Sequence, residues 1–303
     1  MKVTKTSCIP YFISIICIIS ISIFFTITSC KKNSTNLINT TFLLDSIVSS
    51  KNDYVHLIYD NQQRVIEEFF YKRDTLAVRN VYQYNGNDFQ PSKKVSYTLV
   101  SNNSPAYICS FEYNANGQKI TDSLYFPSSN GQFPFITTAI NYSINGKIVV
   151  TRNLYTDVVL HLSYWLSDTI YLNNSSANID SIRYYYNQNG TGWFYAVSTI
   201  FNQYNSQQNY FRSLSFSSCN FNSLRPIYFD GPLYLPETID LEIFSQNYST
   251  NVSYNNYFHP DQDYYIVKQF SFNSDNLPVT AQHIKYYPAN NTSDTTNFRF
   301  VYY

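Results

Sequence analysis

The stretch FEYNANGQKITDSLYF, residues 111–126, sets an aromatic-x-aromatic strand end before a break rich in Asn and Gly, and a second apolar run after it. The chain returns to this arrangement at Tyr59-Asp60-Asn61-Gln62, Tyr82-Gln83-Tyr84-Asn85-Gly86, Ile140-Asn141-Tyr142-Ser143-Ile144-Asn145-Gly146, Tyr184-Tyr185-Tyr186-Asn187-Gln188-Asn189-Gly190 and Phe270-Ser271-Phe272-Asn273. The aromatic ahead of the break stands at 59, 84, 113 and 142, so successive spacings are 25, 29 and 29 residues. A fixed period of this size marks a repeat architecture. Asn, Asp and Gly tolerate the positive φ that a tight turn demands, and in the flanking runs every second side chain falls on one face. One hairpin buries too little apolar surface to stand alone, so the hairpins must share a sheet. The expected fold is all-β: an elongated antiparallel meander of tandem β-hairpins in a single twisted sheet.

Composition agrees. The chain holds 31 Tyr and 23 Phe, one Met and 13% charged residues, and aromatic side chains suit a pleated, half-buried surface. Beyond the N-terminus, no run carries apolar residues at helical period.

The N-terminus reads differently. Lys2 and Lys5 precede an apolar run from Ile9 to Ile27, followed by Ile27-Thr28-Ser29-Cys30 and the polar Lys31-Lys32-Asn33. A basic start, an apolar centre and small residues before a cut form an export signal. Ile-Thr-Ser-Cys resembles the bacterial lipobox, which implies cleavage of residues 1–29, acylation of Cys30 and a lipidated tether over 30–39. The alternative is an uncleaved anchor, since the run approaches the roughly 20 residues of a spanning helix. Two or three acyl chains hold a protein stably to a bilayer. The expected location is therefore the outer membrane, lipid-anchored, with the cell surface preferred to the periplasmic leaflet although Lys31 to Asn39 carry no acidic run. The 274 residues after the cut have 18 basic and 20 acidic side chains. That balance argues against nucleic acid, which is held by clustered Lys and Arg.

Residues 40–303 resemble exported Bacteroidota lipoproteins built from degenerate YD-like hairpin repeats, most of them uncharacterised. The segment from Phe272 to Thr280 and the closing Phe298-Arg299-Phe300-Val301-Tyr302-Tyr303 are similar to that family's last repeat. The match departs over 219–265, where Pro226, Pro232, Pro236 and Pro260 predict an irregular interruption, because proline is confined to sheet edges and irregular positions.

Asp-Ser/Thr triplets recur six times, against about one expected by chance. They are similar to the O-glycosylation acceptor of Bacteroidota, which implies glycans on Ser46, Thr75, Ser123, Thr169, Ser181 and Thr295. The other reading is that Asp caps a turn and the following residues open a strand. Cys8 and Cys17 leave with the signal, so Cys109 and Cys219 either bridge, as an exported compartment permits, or stay buried as thiols.

Catalytic groups do not converge along the sequence. His56, His161, His259 and His283 stand far apart, and no metal-binding helix, phosphate loop or nucleophile elbow occurs. Glu67 and Glu68 are neighbours on a strand, so they point to opposite faces; a solvated strand edge accounts for them. His259-Pro260-Asp261-Gln262-Asp263 reads as a polar loop tip rather than a cation site. No enzyme activity, cofactor or metal is expected. Trp165, Trp193, Tyr184 and Tyr195 form a candidate ligand platform, with core packing as the alternative. The leading expectation is a non-catalytic envelope protein that binds a glycan, peptide or protein partner through an aromatic sheet face or edge. The alternatives are a structural spacer and, third, a hydrolase.

Overall fold

A computed structural model describes residues 42–303 except 99–103, 126–135, 143–146, 158–161, 174–177, 189–191, 193 and 215–246. The strands are β1 (Leu44–Ser49), β2 (Tyr54–Tyr59), β3 (Val65–Lys72), β4 (Thr75–Gln83), β5 (Lys93–Thr98), β6 (Tyr107–Tyr113), β7 (Lys119–Tyr125) and β8 (Ile136–Tyr142). They continue as β9 (Lys147–Asp157), β10 (Leu162–Leu172), β11 (Ile179–Gln188), β12 (Phe194–Gln208), β13 (Asn247–Asn256), β14 (Tyr264–Phe272), β15 (Pro278–Tyr287) and β16 (Thr292–Tyr302). Each pairs antiparallel with its sequence neighbour, as the hairpin period predicts. The meander also has a property that the period does not contain. β16 returns to β1, with Ile47 opposite Phe300 and Val48 opposite Arg299, and the sheet closes into a barrel.

The repeat is visible in its turns. At β2–β3, β6–β7 and β14–β15 the Asx side chain caps the loop: Asp60 Oδ1 accepts from the backbone of Gln62 and Arg64, Asn114 Oδ1 from Asn116 and Gln118, and Asn273 Oδ1 from Asp275 and Leu277. The fourth residue of each turn adopts the left-handed region, Gln63 at φ 61°, Gly117 at 73° and Asn276 at 61°. This is a type I turn closed by a bulge, a favoured hairpin connection. The Tyr186-Asn187 copy is out of phase: it leads from β11 to β12, at the barrel end opposite the other copies.

The tyrosines before the turns have a shared role. Tyr59 Oη donates to the Leu44 carbonyl at 2.8 Å, Tyr84 to Val65 at 2.6 Å, Tyr113 to Pro91 at 2.8 Å, Tyr142 to Lys119 at 3.0 Å and Tyr302 to Pro278 at 2.8 Å. Tyr204 does the same to Ile179. Each phenol reaches the carbonyl at or just before the start of the preceding strand and so ties together the open ends of one hairpin. We expect Tyr84→Phe to cost about 1 kcal/mol in urea denaturation, with a similar loss for Tyr302→Phe; no change in either would show the bond to be dispensable.

Among the described residues, inward positions form a packed cluster. Ile140, Ile170, Ile179, Ile182, Tyr184, Phe201 and Val252 pack together inside the wall. After β12 the chain makes a 3₁₀ turn, Tyr210–Ser213, capped by the Asn209 side chain. Tyr210 and Phe211 are buried there, with ring centroids 5.8 Å from Tyr302 and 5.7 Å from Phe300. The segment following β12 thus reaches β16 from inside. Burial pushes the Tyr210 phenol up to about 12.

Polar groups on the inner face are paired. Glu68 is buried and accepts from Asn80 Nδ2 at 2.7 Å and Tyr82 Oη at 2.8 Å, while Ser96 Oγ donates to Asn80. Glu67 lies outside, 2.6 Å from Arg79. The two carboxylates do point to opposite faces, but the expectation of a solvated edge fails for Glu68, because barrel closure gives its strand an interior side.

Candidate ligand-binding surface

Odd-to-even connections all meet at one end of the barrel, here the far end; the chain enters at the other, where Phe42 leads into β1. At the far end the outer wall carries a run of aromatic rings. Tyr185 and Tyr195 face each other across β11 and β12 with centroids 5.7 Å apart, Tyr195 lies 6.0 Å from Tyr257, and Tyr257 lies 5.6 Å edge-on to Phe258. Tyr257 is 70% exposed and Phe258 49%, high for rings of this size. Tyr265 and Tyr286 stack at 4.8 Å on neighbouring strands. Arg183 adds a cation 4.9 Å from the Tyr171 ring, and its hydrogen bond with the Tyr185 side chain raises its pKa further.

The β13–β14 loop that presents Tyr257 and Phe258 is braced. Asn256 Oδ1 accepts from the backbone N–H of Phe258 and His259, both at 3.1 Å, and Asp263 Oδ1 accepts from Asn256 N at 2.6 Å. The His259–Asp263 segment is thereby a loop tip in which Asp263 holds the backbone of Asn256. Among the described residues no group of three His, Cys, Asp or Glu could hold a metal ion. A loop ordered before binding loses less entropy when it meets a ligand.

Of the four platform residues expected from the sequence, Tyr195 belongs to this surface. Tyr184 does not: it is 8% exposed and packs in the core. Alternation along β11 turns Tyr185 outward instead, and the extra residue Ala196 in β12 sets Tyr195 opposite it. Trp165 sits on β10 with its backbone opposite Asn153 and Asn187, and Trp193 lies outside the described residues. Tyr257 and Phe258 escaped the sequence reading, although two aromatics beside His259-Pro260 break strand alternation and so signal a loop.

The six triplet hydroxyls share one property. Ser46, Ser123, Thr169, Ser181 and Thr295 occupy strand positions on the outer face, and Thr75 is exposed at the start of β4. Next to them Ile47, Leu124, Ile170 and Ile182 are buried. The phase that turns the aliphatic residue inward turns the hydroxyl to solvent, so strand register accounts for the pattern and leaves every hydroxyl within reach of a modifying enzyme. Cys109 is 1% exposed on the inner face; Cys219 and Cys30 lie outside the described residues.

Among solved structures, the fold is similar to that of a porin-like protein from Bacteroides vulgatus ATCC 8482, with TM-score 0.49 and 10% identity over 85% of this chain and 97% of that one. A porin-like protein from Bacteroides uniformis ATCC 8492 aligns with TM-score 0.40 and 9% identity over 86% and 96% of the two chains. No family model and no curated protein matches the sequence.

Proposed function

We propose that this protein is a non-catalytic binding protein of the cell envelope, held to the outer membrane by lipid on Cys30, whose water-exposed barrel takes a glycan on its outer aromatic rings. The observation that carries the reading is the braced, solvent-facing run of Tyr185, Tyr195, Tyr257 and Phe258. Aromatic faces cover the C–H faces of sugar rings, and Arg183 with the phenols supplies hydrogen bonds.

Pore formation is disfavoured by the wall itself. A membrane barrel turns an apolar band about 25 Å tall outward. This outer face carries Glu67, Arg79, Glu112, Arg183, Gln269, Gln282, Asn297 and Arg299, with an ion pair between Glu67 and Arg79 and an amide hydrogen bond from Gln282 to Asn297.

The spacer reading is favoured by one fact: six tyrosines are engaged in tying hairpins together. Arrays of glycans and of envelope proteins, probed with the purified chain lacking the signal, separate the two. We expect saturable glycan binding that falls at least tenfold in Tyr257→Ala, with the fold retained. Binding to proteins alone would replace the glycan with a polypeptide partner; silence on both arrays would leave the spacer.

A further inference from the structure

Inside the far mouth of the barrel, separate from the outer rings, lies a cavity of about 330 Å³, within the range of small-ligand sites. Its floor is made by Val55, Phe70, Ile266, Phe298 and His283, and its lip by Lys51, Asp53, Tyr54, Lys285, Tyr287 and Asp294. His283 is 9% exposed and its Nε2 has no hydrogen-bond partner among the described residues. An unmatched buried polar atom of this kind costs about 1–3 kcal/mol and calls for an explanation.

We infer that this mouth cavity binds a neutral mono- or disaccharide, with a sugar hydroxyl on His283 Nε2. Three features converge on that chemistry. The lip itself balances two lysines against two aspartates, with Lys51 bonded to Asp294, and so offers both donors and acceptors to a polyol. Aromatic rings line the mouth: Tyr54, Phe70 and Tyr287 border it, with the Lys285 ammonium 5.3 Å from the Tyr287 centroid, whereas Tyr264 beside them is already covered by Lys285 and stacked on Tyr254. Finally, burial and then the nearby Lys268 ammonium keep the His283 pKa well below its ordinary value, so the imidazole is neutral at pH 7. The free nitrogen of a neutral imidazole accepts in one tautomer and donates in the other; a hydroxyl satisfies either.

The test uses the full chain and glucose, galactose, mannose, N-acetylglucosamine, lactose and maltose as probes, with galacturonate as the anionic control. We expect at least one neutral sugar to move the His283 imidazole resonances saturably. That affinity, read by titration calorimetry in every variant, should fall at least tenfold in His283→Phe and in Asp294→Ala, whose side chain is half exposed, and should be untouched by Tyr257→Ala. The inference is overturned if no neutral sugar moves those resonances at 50 mM (about the weak limit of a useful site). It is equally overturned if galacturonate binds more tightly than galactose, or if binding survives both variants and is lost with Tyr257, which would assign the sugar to the outer rings.

Discussion

Replacing Asp122 with alanine lowers the unfolding free energy by about 3–5 kcal/mol. Asp122 Oδ2 lies 2.8 Å from Lys119 Nζ, and the two side chains are 3% and 1% exposed. The Lys119 ammonium also lies 5.5 Å from the Phe111 ring. Each ion surrenders its hydration on entering the barrel, a cost of several kcal/mol that mutual attraction offsets only while both are present. Alanine removes the countercharge from a buried ammonium and leaves the desolvation in place. The double variant Lys119→Met/Asp122→Leu removes both charges and should recover most of the loss, because well-packed apolar replacements of buried pairs are often neutral. Urea denaturation followed by intrinsic fluorescence reads both. A loss below about 1 kcal/mol for Asp122→Ala would show that Lys119 reaches water.

Phe211→Ala is expected to cost about 3–5 kcal/mol. Phe211 is 3% exposed, with ring centroids 5.7 Å from both Tyr248 and Phe300. Its neighbour Tyr210 receives order from the same contacts: the Tyr210 N–H donates to Tyr248 Oη at 3.0 Å. Truncating the ring removes transfer energy and leaves a cavity where β13 and β16 both lose a partner. Tyr257→Ala, outside the wall, should stay within about 0.5 kcal/mol, which makes it the internal comparison. Equal effects at the two positions would mean that the segment after β12 does not fill the barrel.

Strand existence, hairpin order and turn chemistry were legible because they are local. Asp60, Asn114 and Asn273 each cap their own turn, and alternation along a strand needs no distant partner. The side of the wall on which a given side chain falls was harder. Three consecutive tyrosines at 184–186 offer no parity of their own; the packing of Tyr184 into the core decides that Tyr185 faces out, and the extra residue Ala196 in β12 sets Tyr195 beside it. Period 2 makes one residue of slip invert every assignment after it. Glu68 illustrates the same limit: the sequence separates it correctly from Glu67, yet its burial against Asn80 and Tyr82 depends on the barrel having an inside.

By itself, then, the sequence determined a tandem series of antiparallel hairpins, because positive-φ turn residues and aromatic alternation act over a few positions. Only the tertiary structure decided that β1 meets β16, that Tyr210 and Phe211 fold inward, and that His283 ends beside Lys51 and Asp294 at the far mouth. These contacts join residues hundreds of positions apart, and accumulated twist and register over the whole sheet bring them together.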